Sequence, residues 1–334
     1  MCRNNEESEK SESTDSSTLS SPDHKCINES SFGLFEEICC LFHIALPTVA
    51  VQFCTFLVFP MTASVIGRNF EPEYLAGFSL ASLSGNITCI SIIIGSLSAC
   101  ETLQPRSYGL KKYKEVGLIA VRGFFFCALV LTPPMIILYH YLYHFLIFLG
   151  QDPLAASLAS SWVKIYLCGI PPVLLFRIIQ RFLSCQNIVM PCAYSAALGL
   201  FILPLLLKIF VGFGGSALAL ISTQWLQLFL TLIILKYSTS SYNKETWPGL
   251  NYSYLKEALN WEEIKAYGEL GIGGVLGLSE WWFWEVICFI AGKFGVVPLC
   301  AHSIAYQVRY FYLEKNNSLN CISCYLSLLC SHWA

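Results

Sequence analysis

The sequence predicts an all-α polytopic membrane protein: one complete six-helix lobe followed by the first one or two helices of a second lobe. Three observations carry that reading. The first is composition: of 334 residues, 55 % are hydrophobic and only 13 % charged, with a mean hydropathy of +0.57. A water-facing globular chain carries about 25 % charged residues, so the bilayer has to be the solvent. The second is a series of long runs almost free of Asp, Glu, Lys and Arg. The third is an internal similarity at an offset of 225 residues. The formal net charge of -2 argues against a nucleic-acid partner.

Residues 1–37 hold nine of the 22 acids and three of the 20 bases. This Ser-rich stretch reads as a disordered acidic tail, and it lacks the apolar core of a signal peptide. Residues 38–236 form the N-terminal lobe. Its spans are the apolar runs 38–67, 74–100, 123–151, 154–185, 188–207 and 209–235, each offering the ~20 residues that a crossing helix requires. The fourth carries Lys164, Arg177 and Arg181; the other five are free of charge. Pro133-Pro134 is expected to kink the third. Residues 237–264 read as an inter-lobe linker. Residues 265–310 begin the second lobe: run 270–292 is a seventh span interrupted by Glu280 and Glu285, and run 294–308 begins an eighth that Arg309 cuts short. Residues 311–334 form a divergent tail. Helices are expected throughout, because an open sheet in lipid would leave backbone groups unpaired.

Lys and Arg set the orientation. Arg106, Lys111, Lys112 and Lys114 follow span two, Arg177 and Arg181 end span four, and Lys236, Lys244, Lys256 and Lys265 follow span six. The other side offers Arg68 and Lys208. The N-terminus and the even-numbered loops are therefore expected in the cytoplasm. Of the 16 cysteines, Cys54, Cys89, Cys127, Cys168 and Cys288 sit in apolar runs, where the thiol packs as a small hydrophobe. Cys321 and Cys324 have C-x-x-C spacing, but nothing nearby completes a zinc site or a redox fold. His140 and His144 stand among tyrosines at a span end, which suits interfacial anchoring better than chelation. No metal and no cofactor is expected, and no nucleophile–His–acid arrangement supports an enzyme.

At the offset of 225, Gly67 meets Gly292, Arg68 meets Lys293, Ala76 meets Ala301, and Phe56 and Phe59 meet Trp281 and Trp284. The spacing implies a six-helix unit repeated in parallel orientation.

Glu280 and Glu285 are the residues that lipid makes expensive. A charge at the bilayer centre costs about 2.5–3.5 kcal/mol on insertion scales, and desolvation favours the neutral form of a carboxyl. Such a group can take up a proton or pair with a cation, and doing both in turn couples the two. The alternative is a carboxyl held by a neighbouring Ser or backbone carbonyl for packing. The two glutamates lie about 140° apart around a helix, with Trp284 on the face of Glu280. The cluster EWWFWE (280–285) thus sets acids beside aromatic planes, which attract cations; an aromatic belt at the membrane interface is the other reading. Asn86 and Gln52 are amides inside apolar spans, serving either as interhelical glue or as substrate-facing groups. Glu101 ends span two beside Arg106 and reads as interfacial.

Several segments then become recognisable. RFLSCQNIVMP (181–191) resembles the motif that follows span four in the multidrug and toxin extrusion (MATE) transporters. GQDP (150–153) resembles the family's turn between spans three and four, and SACETL (98–103) with Tyr108-Gly109 the segment closing span two. GSALA (215–219), KETWPG (244–249) and EWW (280–282) match the start of span six, the loop before span seven and span seven itself. The likeness runs from about Glu36 to Tyr310, and the eukaryotic branch fits best. It implies two six-helix lobes around a central cleft of alternating access, in the plasma membrane, exporting organic cations, drugs and toxins in exchange for protons. It implies cation and proton handling at Glu280 and Glu285, and cleft-lining roles for Gln52, Asn86, Trp281, Trp284, Tyr306 and Gln307. Gln307 stands where the family has a Glu, and an amide cannot carry a proton. Pro105 and Arg106 stand where the family usually has Gln. The tail 317–334 fits no family segment. The expectation is therefore an incomplete exporter, or a truncated isoform that does not transport. A seven-helix receptor is a further alternative, opposed by the cytoplasmic N-terminus.

Overall fold

The computed structural model describes residues 34–237, 244–247, 249 and 252–306. Nearly all of these are helical. The elements are α1 (Leu34–Asn69), α2 (Pro72–Gly85), α3 (Ser91–Gly109), α4 (Tyr113–Phe148), α5 (Pro153–Tyr166), α6 (Ile170–Ser184), α7 (Met190–Ile209), α8 (Phe213–Tyr237), α9 (Tyr252–Ala258), α10 (Trp261–Gly277) and α11 (Ser279–Gly292). A short α12 (Val296–Tyr306) follows. Six helical stretches are long and apolar enough to cross a bilayer: Ala45–Asn69, Pro72–Gly109, Tyr113–Phe148, Pro153–Ser184, Met190–Ile209 and Phe213–Tyr237. Together α10 and α11 make a seventh if the pair is one span bent by 46°. The protein is an all-helical, polytopic, integral membrane protein.

Local chemistry sets the helix ends. Asp152 caps α5 by accepting from the backbone N–H of Leu154 and Ala155, both at 3.0 Å, with Pro153 at the first helical position. Asn260 caps α10 by accepting from Glu262 N–H, and Glu262 and Glu263 place acids in its first turn. Gly150, at φ 77°, closes the end of α4. Two spans are broken internally. Span two passes from α2 to α3 through a π-helical turn, Asn86–Ile90, where Ser91 Oγ donates to the Asn86 carbonyl at 2.7 Å. Span four passes from α5 to α6 through a 3-10 turn, Leu167–Gly169, ahead of Pro171-Pro172. The expected disturbance at Pro133-Pro134 does not break α4, which stays helical through both prolines.

In lipid, helices gain little from apolar contact and associate through close packing and polar links. Small residues at the crossings show this. A Cβ on Gly77 of α2 would lie 2.7 Å from Leu158 Cβ of α5. On the same interface Trp162 stacks on Tyr166 at 4.9 Å, meets Phe78 edge-on at 5.2 Å and donates Nε1–H to Ser216 Oγ at 2.9 Å. Helices α7 and α8 are linked by Thr231 Oγ1 and Ser195 Oγ at 2.7 Å. The tightest crossing is α3 on α10: a Cβ on Gly95 would lie 2.5 Å from Val275 Cα, and one on Gly274 would run into the Gly95 carbonyl and Ser98 Oγ. Tyr267 of α10 seals that crossing by donating to the Ser96 carbonyl at 2.9 Å, with Cys100 Sγ 3.1 Å from its hydroxyl.

At the end of the bundle near Gly109, polar pairs tie α4 to α9 and α10. Arg122 is buried; its Nη1 meets Glu115 at 2.5 Å and Glu263 at 3.3 Å, and its Nε donates to the Ala258 carbonyl at 3.3 Å. Lys114 pairs with Glu257 at 2.5 Å. Arg122 stands just outside the apolar run beginning at 123, so nothing in the run marks it as buried.

Two outcomes follow for stability. Gly274→Ala is expected to cost roughly 1–3 kcal/mol through overpacking, whereas Gly273→Ala, where a Cβ would meet nothing within 4 Å, leaves thermal unfolding in detergent unchanged or slightly raised. Arg122→Leu is expected to cost about 1–3 kcal/mol, since it strips the Ala258 carbonyl and Glu115 of a partner. Glu263→Gln, whose side chain is 52 % exposed, changes the melting temperature little, because a screened pair is worth about 1 kcal/mol or less.

Candidate functional site

Between α1, the broken second span, the α5–α6 span, α8 and the α11–α12 region lies a cavity of about 390 Å³. Its size falls in the range of about 300–1,000 Å³ of small-molecule sites. Glu285 enters it from α11 with only 2 % of its surface exposed. Asn86 lines the same cavity and is the polar side chain that bears on the Glu285 carboxyl. Asn86 opens the π-helical turn, and a turn of that kind shifts the helical register where a side chain must be re-aimed. The Glu285 carboxyl oxygen Oε2 is buried without a hydrogen-bond partner. So are Ser79 Oγ, Gln224 Oε1 and Ser303 Oγ, from three further helices around the same cavity. With Arg181 Nε, five buried polar atoms without a partner in the protein surround this cavity, so whatever fills it, water or ligand, meets polar groups.

Aromatic rings supply the rest of the lining. Phe56, Phe59, Tyr166, Phe176 and Tyr306 face the cavity; Phe59 meets Tyr166 edge-on at 6.1 Å, and Gln224 Nε2 donates to the Tyr166 hydroxyl at 3.0 Å. Rings around a buried carboxylate make an environment that attracts an organic cation.

The structure gathers Gln52, Asn86, Glu285 and Tyr306 around this one cavity. It does not bring Trp284 there: that ring lies edge-on to Phe283 at 5.5 Å and is absent from the cavity lining. The reason is helical geometry, since a residue adjacent to Glu285 points about 100° away. Glu280 and Trp281 belong to α11, but their side chains lie outside the described residues, as does Gln307.

Two charges read as orientation markers at the end of span four prove to face the cavity. Arg177 and Arg181 lie inside α6, which continues to Ser184, and both line the cavity. Arg177 Nη1 donates to Gln52 Oε1 at 2.7 Å and to Gln180 Oε1 at 3.2 Å. Arg181 Nη2 lies 2.5 Å from Glu101, so Glu101 pairs across to α6 rather than with Arg106. Gln224, Gln227 and Ser303 of the lining were also not singled out. The two amides stood three apart inside an otherwise apolar run, a signal that was present.

Among the described residues there is no group of three or more His, Cys, Asp or Glu able to hold a metal. His140 and His144 are exposed on α4, against the rings of Tyr139 and Tyr143. Cys89, Cys100, Cys127, Cys192 and Cys288 are buried free thiols. A larger groove of about 830 Å³ lies between α4, α6, α8 and α9, but among its lining residues Lys236 alone is charged, so it offers no carboxyl to a cation or proton.

Comparison with known proteins agrees with this architecture. Residues 47–210 match the MatE family profile. The chain is 32 % identical over 301 residues to multidrug and toxin extrusion protein 1 of Homo sapiens, covering 87 % of this chain and 50 % of that protein. It is 31 % identical over 287 residues to multidrug and toxin extrusion protein 2 of Pongo abelii, covering 83 % of this chain and 47 % of that one. The chain thus spans about half the length of the curated relatives it matches. Its fold resembles the crystal structure of the eukaryotic MATE transporter AtDTX14, with a TM-score of 0.69 at 22 % identity over 77 % of this chain and 57 % of that one. An inward-facing MATE family transporter of the MOP superfamily superposes with a TM-score of 0.59 at 15 % identity, over 79 % of this chain and 61 % of that one. With the sequence likeness, the shared fold and the matched profile together, the chain belongs to the multidrug and toxin extrusion (MATE) family, a family of membrane transporters rather than enzymes.

Proposed function

We propose that the chain forms the N-terminal lobe and the opening helices of the C-terminal lobe of a proton-coupled exporter of organic cations, drugs or toxins. The observation that carries the reading is the Glu285 carboxyl: buried, beside Asn86 and facing an aromatic-lined cavity. Such a group holds a proton when neutral or a cation when ionised, but not both, so uptake of one releases the other. Glu280, on the same helix, shares the cation and proton handling in this reading. Gln52, Asn86 and Tyr306 line the substrate path, and Gln307 removes one titrating position. The names of the human and orangutan relatives, multidrug and toxin extrusion proteins, support the substrate class.

In the same reading, residues 38–236 are the first lobe, 237–264 the linker and 265–310 the start of the second, with the acidic tail 1–37 and the N-terminus in the cytoplasm of a plasma-membrane protein. The basic residues between α3 and α4 and in the linker support that orientation; Arg177 and Arg181 do not, since they face the cavity. Family membership sets a seven-helix receptor aside.

The test is reconstitution in liposomes under an imposed pH gradient, with a fluorescent organic cation as the transported probe. In a chain extended by the relatives' remaining helices, Glu285→Gln is expected to abolish pH-driven uptake; near-normal uptake sinks the coupling role. The 334-residue chain alone is expected to move no more dye than empty vesicles, because a rocking cleft needs two walls. Uptake by it that disappears in Glu285→Gln would show that two or more chains assemble a complete cleft.

A further inference from the structure

The turn GQDP (150–153) joins α4 to α5, and most of it is spent on the turn itself. Gly150, at φ 77°, ends α4; Asp152 caps α5 and Pro153 begins it. Gln151 gives its backbone N–H to the Leu146 carbonyl at 3.1 Å, which leaves its side chain unused by the turn. That side chain is buried and crosses to α11, where Nε2 donates to the Phe289 carbonyl at 2.8 Å. The carbonyl is open to it because the end of α11 tightens. The Lys293 N–H, which a continuing α-helix would give to Phe289, goes to the Ile290 carbonyl at 3.1 Å instead. Gly292 makes the approach possible, since a Cβ there would run into the Gln151 amide.

The pair α10–α11 is thus fastened to the preceding helices at both ends, and unequally. Near Gly109, α10 is held by Tyr267, by the interlocked Gly95 and Gly274 and by the pairing of Glu263 with Arg122. At the opposite end, beside the α4–α5 turn, the polar ties among the described residues are the Gln151 amide and the Cys300 thiol, 3.4 Å from the Pro72 carbonyl. A neutral hydrogen bond adds little net stability, and a thiol is a weak donor. The end next to Gln151 is therefore the one that lets go first. The cavity that Glu285 enters is walled on this side of the chain by α11 and α12.

We propose that Gln151 is the latch of a gate: its amide holds the C-terminal end of α11 against the α4–α5 turn, and release of that bond opens the Glu285 cavity at this end of the bundle. The proposal rests on the reading of the cavity as the transport cleft. Phe289 stands about one helical turn beyond Glu285, so the wall that carries the acid is the wall the latch holds. With the amide engaged, Cys288 and Phe289 are packed into the core; with it released, water reaches them. A residue that merely stabilised the fold would loosen every buried group alike.

The test is thiol labelling of this chain in lipid nanodiscs with a water-soluble sulfonated maleimide, each cysteine followed separately by peptide mass spectrometry. Cys288 on α11 and Cys192 on α7 are both buried free thiols, and Cys192, in a separate core cluster, is the control. Both are expected to react slowly in wild type. Gln151→Ala is expected to speed Cys288 by roughly 3- to 10-fold, the shift in local opening that loss of one neutral hydrogen bond gives, with Cys192 within about twofold. Gln151→Glu keeps the size of the side chain but replaces the donor with a carboxylate that only accepts; it is expected to speed Cys288 at least as much. Cys288 unchanged in either variant, or Cys192 accelerated as much as Cys288, overturns the proposal. If Gln151→Ala does not fold, Gly292→Ala acts from the other side, its methyl displacing the amide at the mobile end of the Gln151 side chain. The same acceleration at Cys288 is expected, and its absence overturns the proposal. No transported ligand enters this measurement, so the coupling role of Glu285 can fail while the latch stands. Equally, the latch can fail while Glu285→Gln still abolishes uptake.

Discussion

Lipid tails are as apolar as leucine, so the helices of this protein cannot be held together by fleeing water. What holds them is how closely two backbones approach, and the crossing of α3 and α10 is where that constraint bites hardest. Gly95 and Gly274 leave no room for a methyl group between the helices. Because they meet, Tyr267 reaches the Ser96 carbonyl and fills the space beside Cys100. With α10 fixed on α3, α11 leaves it near Leu278 and carries Glu285 into the cavity that Asn86 lines. The carboxyl in the cavity is therefore a consequence of two glycines further along the bundle.

The spans themselves were legible because lipid forbids charge over about 20 residues, and that prohibition is visible in one dimension. Glu285 and Asn86 were legible for the same reason, as polar residues in runs that otherwise exclude them. What no run reveals is the direction a side chain faces. Trp284 had the right chemistry and the wrong azimuth. Arg177 and Arg181 were placed at the end of span four, where α6 does carry them, but nothing in the run shows that they face the cavity. The π-helical turn at Asn86 is hidden too: it holds no proline or glycine to mark it, and its signature is a hydrogen bond that reaches five residues back. Span four's break was closer to the surface of the sequence, with Gly169 and two prolines beside it.

The cleft that results is not uniformly acidic. Its walls carry a carboxyl beside an amide, two guanidiniums steadied by amides and a carboxylate, and aromatic faces. Charge in a low-dielectric space acts over longer distances than in water. A ligand entering it therefore meets charged groups of both signs.

The 46° bend between α10 and α11 has a mechanical meaning. Below the bend the helix is clamped by glycine contacts and by Tyr267; above it, α11 holds the acid. The segment from Leu278 to Glu285 is a lever about 10 Å long, so a swing of about 10° at the elbow carries the carboxyl about 2 Å. That displacement is enough to take a hydrogen bond of ordinary length, about 3 Å, out of reach. The elbow thus sets, by its angle alone, how far the acid stands from Asn86 on the facing wall of the cavity.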